Sequence, residues 1–219
     1  MLGVESLNLG LGVAGPRKFL QSAALVKYVN RARCCVIQVM SGRSAANSLM
    51  TNPRGGSMLR WRADSEDTAL RHSELLYQEL IDRKSDVDLL KIVRETRDSW
   101  SEEFIELAKS INVPKILLWI SAREPDYQIS YSTVEGLFGA FPQLVDGPAL
   151  SRVAGHFDRL VMSVSNAGLP APLLNRFTGM PGQVQRDRNL MTRNGYYPSQ
   201  EMHMRAALAL HPVISEYLR

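Results

Sequence analysis

Two short apolar runs, residues 34–40 and 115–120, most constrain what this chain can fold into. Both consist almost entirely of large apolar residues, many of them β-branched. A strand with one wet face alternates apolar and polar residues, whereas a strand covered on both faces is a continuous apolar run. The two runs therefore predict a parallel sheet with helices on both of its faces.

The rest of the chain alternates further strands with helices. Residues 4–9 and 159–164 are predicted strands, and helical spacing covers about 17–31, 68–82, 85–111 and 150–156. A core stripe in the third helix steps through Trp100, Phe104, Leu107 and Ile111. Ser199 is a natural N-cap for a final helix that Pro212 should end or kink. This order predicts a three-layer, flavodoxin-like α/β fold.

Length and composition limit the class of protein. The chain has 219 residues, which suits one domain over 1–219, with a helical excursion at about 64–112 and a long loop at about 165–198. The net charge of +4 comes from scattered arginines, so we expect no nucleic-acid partner. No apolar run approaches the roughly 18 residues of a membrane span, so we expect none. Cys34 and Cys35 are neighbours on a strand and point to opposite faces, which favours a reducing, cytoplasmic compartment.

A glycine loop follows the first predicted strand and allows three interpretations. Gly10, Gly12 and Gly15 have the spacing of a dinucleotide-binding loop, but no acidic residue follows the next strand to hold a ribose. We therefore expect no NAD and no other cofactor, although Arg43 could favour a 2′-phosphate. The second interpretation is a plain tight turn. The third is a loop whose N–H groups face a substrate oxyanion.

Polar residues follow the strand at 34–40, where ligand sites of open α/β sheets form. Ser41 and Arg43 in this loop, together with Arg176 in the long loop, are candidate substrate-binding residues for a small molecule or carbohydrate. No His, Cys, Asp or Glu cluster has the spacing of metal ligands, so we predict no metal site.

Three motifs carry a resemblance to a known family. They are residues 38–44, residues 176–179 and the segment 196–203 that ends at His203. With the glycine loop, they resemble the SGNH (GDSL-type) hydrolase superfamily, and in particular a bacterial family of domains of unknown function. The resemblance spans most of the chain.

The resemblance implies hydrolysis or transfer of an acyl ester on a carbohydrate or other surface-polymer precursor. His203 would be the general base, while Gly12 in the loop and the amide of Asn47 would stabilise the oxyanion. The chain departs from the superfamily at the nucleophile, because no Gly-Asp-Ser motif is present. It also has Gln200 where an aspartate precedes the histidine, and Val13 where the loop usually has glycine.

These departures leave alternatives open. Either the superfamily's first strand is missing, as in a truncated reading frame or a shortened paralogue, or the fold is kept without the chemistry. The second case predicts a catalytically inactive remnant or binding module. A further alternative is a sulfotransferase-like group transferase with a nucleotide-type donor at the glycine loop. A serine close to His203 favours the hydrolase, whereas arginines converging on the loop favour the transferase.

Overall fold

The computed structural model describes residues 5–62, 69–83, 86–175, 177–186 and 189–218. The helices of these residues are α1 (Pro16–Leu20), α2 (Ala23–Val29), α3 (Ser73–Asp82), α4 (Asp86–Ser110), α5 (Val134–Phe138), α6 (Gly147–Ala154) and α7 (Gln200–Leu218). The strands are β1 (Cys35–Gln38), β2 (Met50–Thr51), β3 (Met58–Trp61), β4 (Arg71–His72), β5 (Lys115–Ser121), β6 (Arg159–Val164), β7 (Ala171–Pro172), β8 (Val184–Arg186), β9 (Asn189–Met191) and β10 (Arg193–Asn194). The chain is therefore a mixed α/β protein, as predicted.

The central sheet has three parallel strands in the order β1-β5-β6. Its middle strand β5 is buried from Ile116 to Ser121, which confirms the prediction from its apolar run. The run at 34–40 was expected to be covered on both faces, and this is wrong for β1. Val36 is 38% exposed, because β1 lies at an edge of the sheet and no described strand flanks its outer side.

Alternating side chains of β5 pack into two different cores. Ile116, Leu118 and Ile120 pack with α7, while Leu117 and Trp119 pack with α4 and α6. The predicted stripe on α4 belongs to the buried core, with Trp100, Phe104, Leu107 and Ile111 at most 4% exposed. The loops at the carboxyl ends of the three parallel strands consequently meet at one edge of the sheet.

Local signals explain where two of the helices begin. Asp146 accepts a hydrogen bond from the backbone N of Ala149 and caps α6. Ser199 Oγ accepts one from the backbone N of Met202, which confirms the predicted cap of α7. Pro212 does not end this helix, which continues to Leu218. The carbonyl of Leu208 loses its helical donor at the proline, but Leu208 is exposed, so water can replace that donor.

Three other predicted elements are corrected. Residues 5–9 form no strand, Leu7 is 63% exposed, and Asn8 Oδ1 accepts a bond from Gly10 N in a local turn. The predicted helix at 17–31 is two helices, because the chain turns between α1 and α2. The predicted helix at 68–82 begins only at Ser73, since residues 71–72 pair with β3 as strand β4.

Small antiparallel pairings complete the fold. Strands β2, β3 and β4 form one sheet, and the pairs β7–β10 and β8–β9 lie within the segment predicted as a long loop. Both cysteines are free and half-buried. Within the described residues, no helix has the length and apolar character that crossing a membrane requires.

Candidate functional site

A pocket of about 270 Å³ lies where loops from distant parts of the chain meet. Residues 11–17, 38–41, 43–45 and 196–198 contribute to its wall, together with His203. The glycine loop, the loop after β1 and the start of α7 therefore converge. The rest of the wall comes from Asn52, Gly55, Ser57, Trp100, Glu103, Phe141 and Gln143.

A turn that contains Gly55 supports the glycine loop through a hydrogen bond. Gly15 N donates to the carbonyl oxygen of Gly55 at 2.8 Å. Gly55 has φ +67°, and a Cβ there would lie 2.5 Å from the backbone N of Lys18, so only glycine fits. Val13, at the exposed tip of the loop, has φ +60°, which is strained for a β-branched residue.

Arg43 links the loop after β1 to the segment before α7. Its side chain is 10% exposed, and Nη1 donates to Glu74 Oε1 at 2.6 Å and to the Tyr196 hydroxyl at 2.5 Å. Burial raises the pKa of Tyr196 to about 12, and Arg43 opposes that rise. Tyr196 is therefore a neutral phenol at physiological pH, and Arg43 already has a carboxylate partner.

A second arginine in the wall is also neutralised. Arg17 Nη1 lies 3.1 Å from Glu103 Oε1, and the Glu103 side chain is 14% exposed. Burial raises the pKa of the Glu103 carboxyl, and Arg17 opposes that rise. Each pocket arginine thus has its own carboxylate, so the wall presents no uncompensated pair of cations.

His203 lies in the first turn of α7, where its ring is fixed by the backbone. Nδ1 is 2.7 Å from the carbonyl oxygen of Ser199. A carbonyl can only accept, so a neutral ring carries its proton on Nδ1 and presents the lone pair of Nε2. This backbone contact fixes the orientation of the ring.

The predicted site residues fall into three groups. Gly12, Ser41, Arg43 and His203 line the pocket. Asn47 does not, because its Nδ2 donates to Thr96 Oγ1 and its Oδ1 accepts from the backbone N of Leu49 and Met50. Its role as an oxyanion donor stays a prediction. Arg176 lies outside the described residues, so its role as a substrate ligand also stays a prediction.

Sequence reasoning missed Gln143. It is 1% exposed and lines the pocket, and its carbonyl oxygen accepts a bond from Gly42 N at 2.8 Å. Its loop is clamped by Arg123, which donates to five backbone carbonyls. These belong to Glu124, Pro125, Ala140, Pro142 and Val145.

The Arg123 clamp also packs on aromatic rings. Its Cζ lies 4.3 Å from the ring centroid of Tyr127 and 5.2 Å from that of Trp119. Burial lowers the pKa of the guanidinium to about 10, so it keeps its charge at neutral pH. The position of Arg123 directly after a buried strand was the sequence signal that could have identified this clamp. Its five acceptors are backbone carbonyls, and no sequence pattern reveals them.

The pocket's size limits the ligand. A volume of about 270 Å³ lies just below the roughly 300–1,000 Å³ usual for small-molecule sites. Such a space suits one ring-sized unit better than a dinucleotide. Among the described residues, no three His, Cys, Asp or Glu side chains come together as a metal site would require. Comparison of the chain with protein family models, curated proteins and solved structures finds no match.

Proposed function

We propose that the protein is an SGNH-like esterase or acyltransferase whose active site is the pocket beside His203. The observation that carries this proposal is the orientation of the imidazole. Nδ1 contacts the Ser199 carbonyl oxygen, so Nε2 is left to accept a proton in a pocket that also contains serine hydroxyls. The three-layer, flavodoxin-like arrangement belongs to the same proposal.

Ser41 is the proposed nucleophile. It directly follows the apolar run that contains β1, at the carboxyl end of the sheet, and is less buried than Ser44 and Ser57, the other pocket serines. Its Oγ forms a bond to the ester carbonyl carbon as its proton passes to His203 Nε2. The C–O bond to the alcohol then breaks, and the leaving alkoxide takes that proton.

The glycine loop completes the proposed chemistry. Val13 and Gly12 line the pocket, and their backbone N–H groups are the proposed donors to the oxyanion. Water, or a second alcohol in a transferase, then attacks the acyl carbon as His203 Nε2 accepts its proton. The bond from the acyl carbon to Ser41 Oγ breaks, and Oγ takes that proton from His203, which returns both residues to their starting states.

The test is hydrolysis of p-nitrophenyl acetate, together with labelling by a fluorophosphonate. We expect His203→Ala and Ser41→Ala each to lower kcat/KM by about 100-fold or more. His211→Ala, on an exposed position of the same helix, and Ser44→Ala should keep wild-type rates. Mass spectrometry should find the label on Ser41.

A wild-type protein that neither hydrolyses the ester nor takes up the label would contradict the proposal. That result would favour the inactive remnant or binding module. Equal rates in His203→Ala and His211→Ala would also contradict it, because the base would then have no role.

A further inference from the structure

Gln143 lines the pocket with a fully buried side chain whose amide forms no hydrogen bond of ordinary geometry among the described residues. It is 1% exposed, and the neighbouring group that interacts with its amide, the Tyr196 hydroxyl, already accepts a hydrogen bond from Arg43 Nη1. Buried polar side chains almost always have partners, and an exception in a cavity wall calls for a ligand. An amide offers both a donor and an acceptor, so the missing partner is a group that does both.

The backbone around Gln143 is held in a strained conformation. Leu144 has φ +64° and is fully buried, which places a strained residue directly after the glutamine. Arg123 donates to the carbonyls of Pro142 and Val145, on both sides of it. Clamping and strain of this kind are typical of a preorganised binding element.

The charges nearby point to an uncharged ligand. Arg43 and Arg17 are already paired with Glu74 and Glu103, so an anion would have to compete with both carboxylates. The amide of Gln143 is also neutral. The matching ligand group is therefore a hydroxyl, which donates and accepts without charge.

Aromatic rings supply the other half of the site. Tyr196 and Tyr197 line the pocket with Phe141, and their own ring centroids lie 4.7 Å apart. Tyr196 is 39% and Tyr197 49% exposed. Arg43 Cζ lies 5.6 Å from the ring centroid of Tyr196 and covers part of that ring, so the remaining exposed ring surface of the two tyrosines is what the C–H groups of a saturated ring can contact. Hydroxyl groups on the edge of a ring and C–H groups on its face are the features of a neutral sugar.

We propose that Gln143 is a specificity-determining residue that binds the hydroxyl groups of a neutral sugar unit. Oε1 accepts a hydrogen bond from one hydroxyl, and Nε2 donates to the oxygen of the same or the adjacent hydroxyl. The rings of Tyr196 and Tyr197 contact the face of the sugar. The sugar is a substrate only if the proposed function is correct, but its binding requires no catalysis.

The test is an NMR titration of the full chain with two matched probes. Methyl β-D-glucopyranoside carries the hydroxyls, and 2-methoxytetrahydropyran has the same ring and methoxy group without them. We expect the glucoside to shift the side-chain NH₂ resonance of Gln143, and the ether to leave it unmoved. Gln143→Met should weaken glucoside binding about five- to tenfold, the worth of one or two neutral hydrogen bonds. Gln78→Met, at an exposed glutamine of α3, is the matched control and should bind as wild type does.

Thermal unfolding without a ligand separates binding from a structural role. Gln143→Met removes an unpaired buried amide, so its Tm should equal or exceed that of the wild type. A clear fall in Tm would show that the amide serves the fold and would overturn the proposal. Equal binding of both probes, or no binding up to their solubility limits, would overturn it as well.

The two proposals fail in different ways. The glucoside carries no ester, so its binding does not depend on whether the protein is an esterase. Gln143-dependent glucoside binding without ester hydrolysis would leave this inference standing and remove the proposed function. Ester hydrolysis without glucoside binding would do the reverse.

Discussion

Two walls of the pocket are built in opposite ways. The wall that carries Gln143 is tied to the sheet through Arg123, whose guanidinium bonds five backbone carbonyls. The glycine loop has few hydrogen bonds among the described residues, from Gly10 N to Asn8 Oδ1, from Ala14 N to the carbonyl of Leu11 and from Gly15 N to the carbonyl of Gly55. Its tip residues Leu11 and Val13 are 52% and 60% exposed.

This difference indicates a division of labour between the walls. A side chain that selects a ligand must be held in one orientation, and the Arg123 clamp provides that. A loop that supplies backbone N–H groups can adjust as a ligand enters, because few buried contacts restrain it. The proposed specificity and the proposed oxyanion donors therefore lie on the rigid and the compliant wall respectively.

The largest effect should come from breaking the clamp. Arg123→Met leaves five backbone carbonyls without their charged donor, and we expect a loss of about 3 kcal/mol in the free energy of unfolding. Urea denaturation measures it. Arg54→Met, at an exposed arginine, should change stability by less than about 0.5 kcal/mol. Equal midpoints for the two variants would show that the clamp adds nothing to the rigid wall.

A smaller effect of opposite sign is expected on the compliant wall. Val13→Gly relieves about 1–2 kcal/mol of left-handed strain and costs about 0.5–1 kcal/mol of chain entropy. The protein should therefore gain about 0.5 kcal/mol, seen as a higher Tm. Val36→Gly, the same substitution on the ordinary backbone of β1, should lower the Tm. A Tm that falls for both variants would show that the φ of Val13 carries no strain.

The smallest effect concerns the pH dependence at Glu103, which faces the glycine loop. Its raised pKa means that the folded state binds the proton more tightly than the unfolded state does. The free energy of unfolding therefore falls as the pH rises from about 4.3, the unfolded value, through the folded pKa, and it stays lower above it. Glu103→Gln removes this dependence, so the variant should gain stability relative to the wild type as the pH rises from about 4 to about 7.

Denaturant unfolding across that pH range measures the difference. Glu135→Gln, at an exposed glutamate of α5 that does not act on Glu103, is the control and should follow the wild-type curve. If the curves of wild type and Glu103→Gln run parallel, burial of this carboxyl does not affect stability.

Elements of the fold were predictable from the sequence where their own residues determine them. β5, β6 and α4 were predictable because the spacing of their own apolar residues reveals them. The pairs β2–β3 and β3–β4 were not, because they span only two residues each and depend on chain neighbours beyond any periodic pattern. Residues 5–9 looked like a strand, but Leu7 has no core to enter.

The same distinction applies to the candidate site. Ser41 and His203 were found because a strand end and a helix cap are visible in the sequence, whereas Gly12 was found from the spacing of the glycines alone, since residues 5–9 form no strand. Gln143 was missed because a single glutamine between Pro142 and Leu144 has no pattern of its own. Its importance comes from burial and from the missing partners of its amide, which only the packed structure defines.

The pairing of the central sheet also has a consequence for how the chain acquires its structure. Cys35 of β1 pairs with Lys115, 80 positions later, and Ile116 of β5 pairs with Arg159, 43 positions later. Contacts between residues so far apart in the sequence form slowly, since long loops must close before a strand of the central sheet can pair with its neighbour. On a ribosome, β1 waits without its partner until α4 and β5 have been synthesised. A holding contact with a chaperone at that stage would protect the apolar side chains of β1 from aggregation.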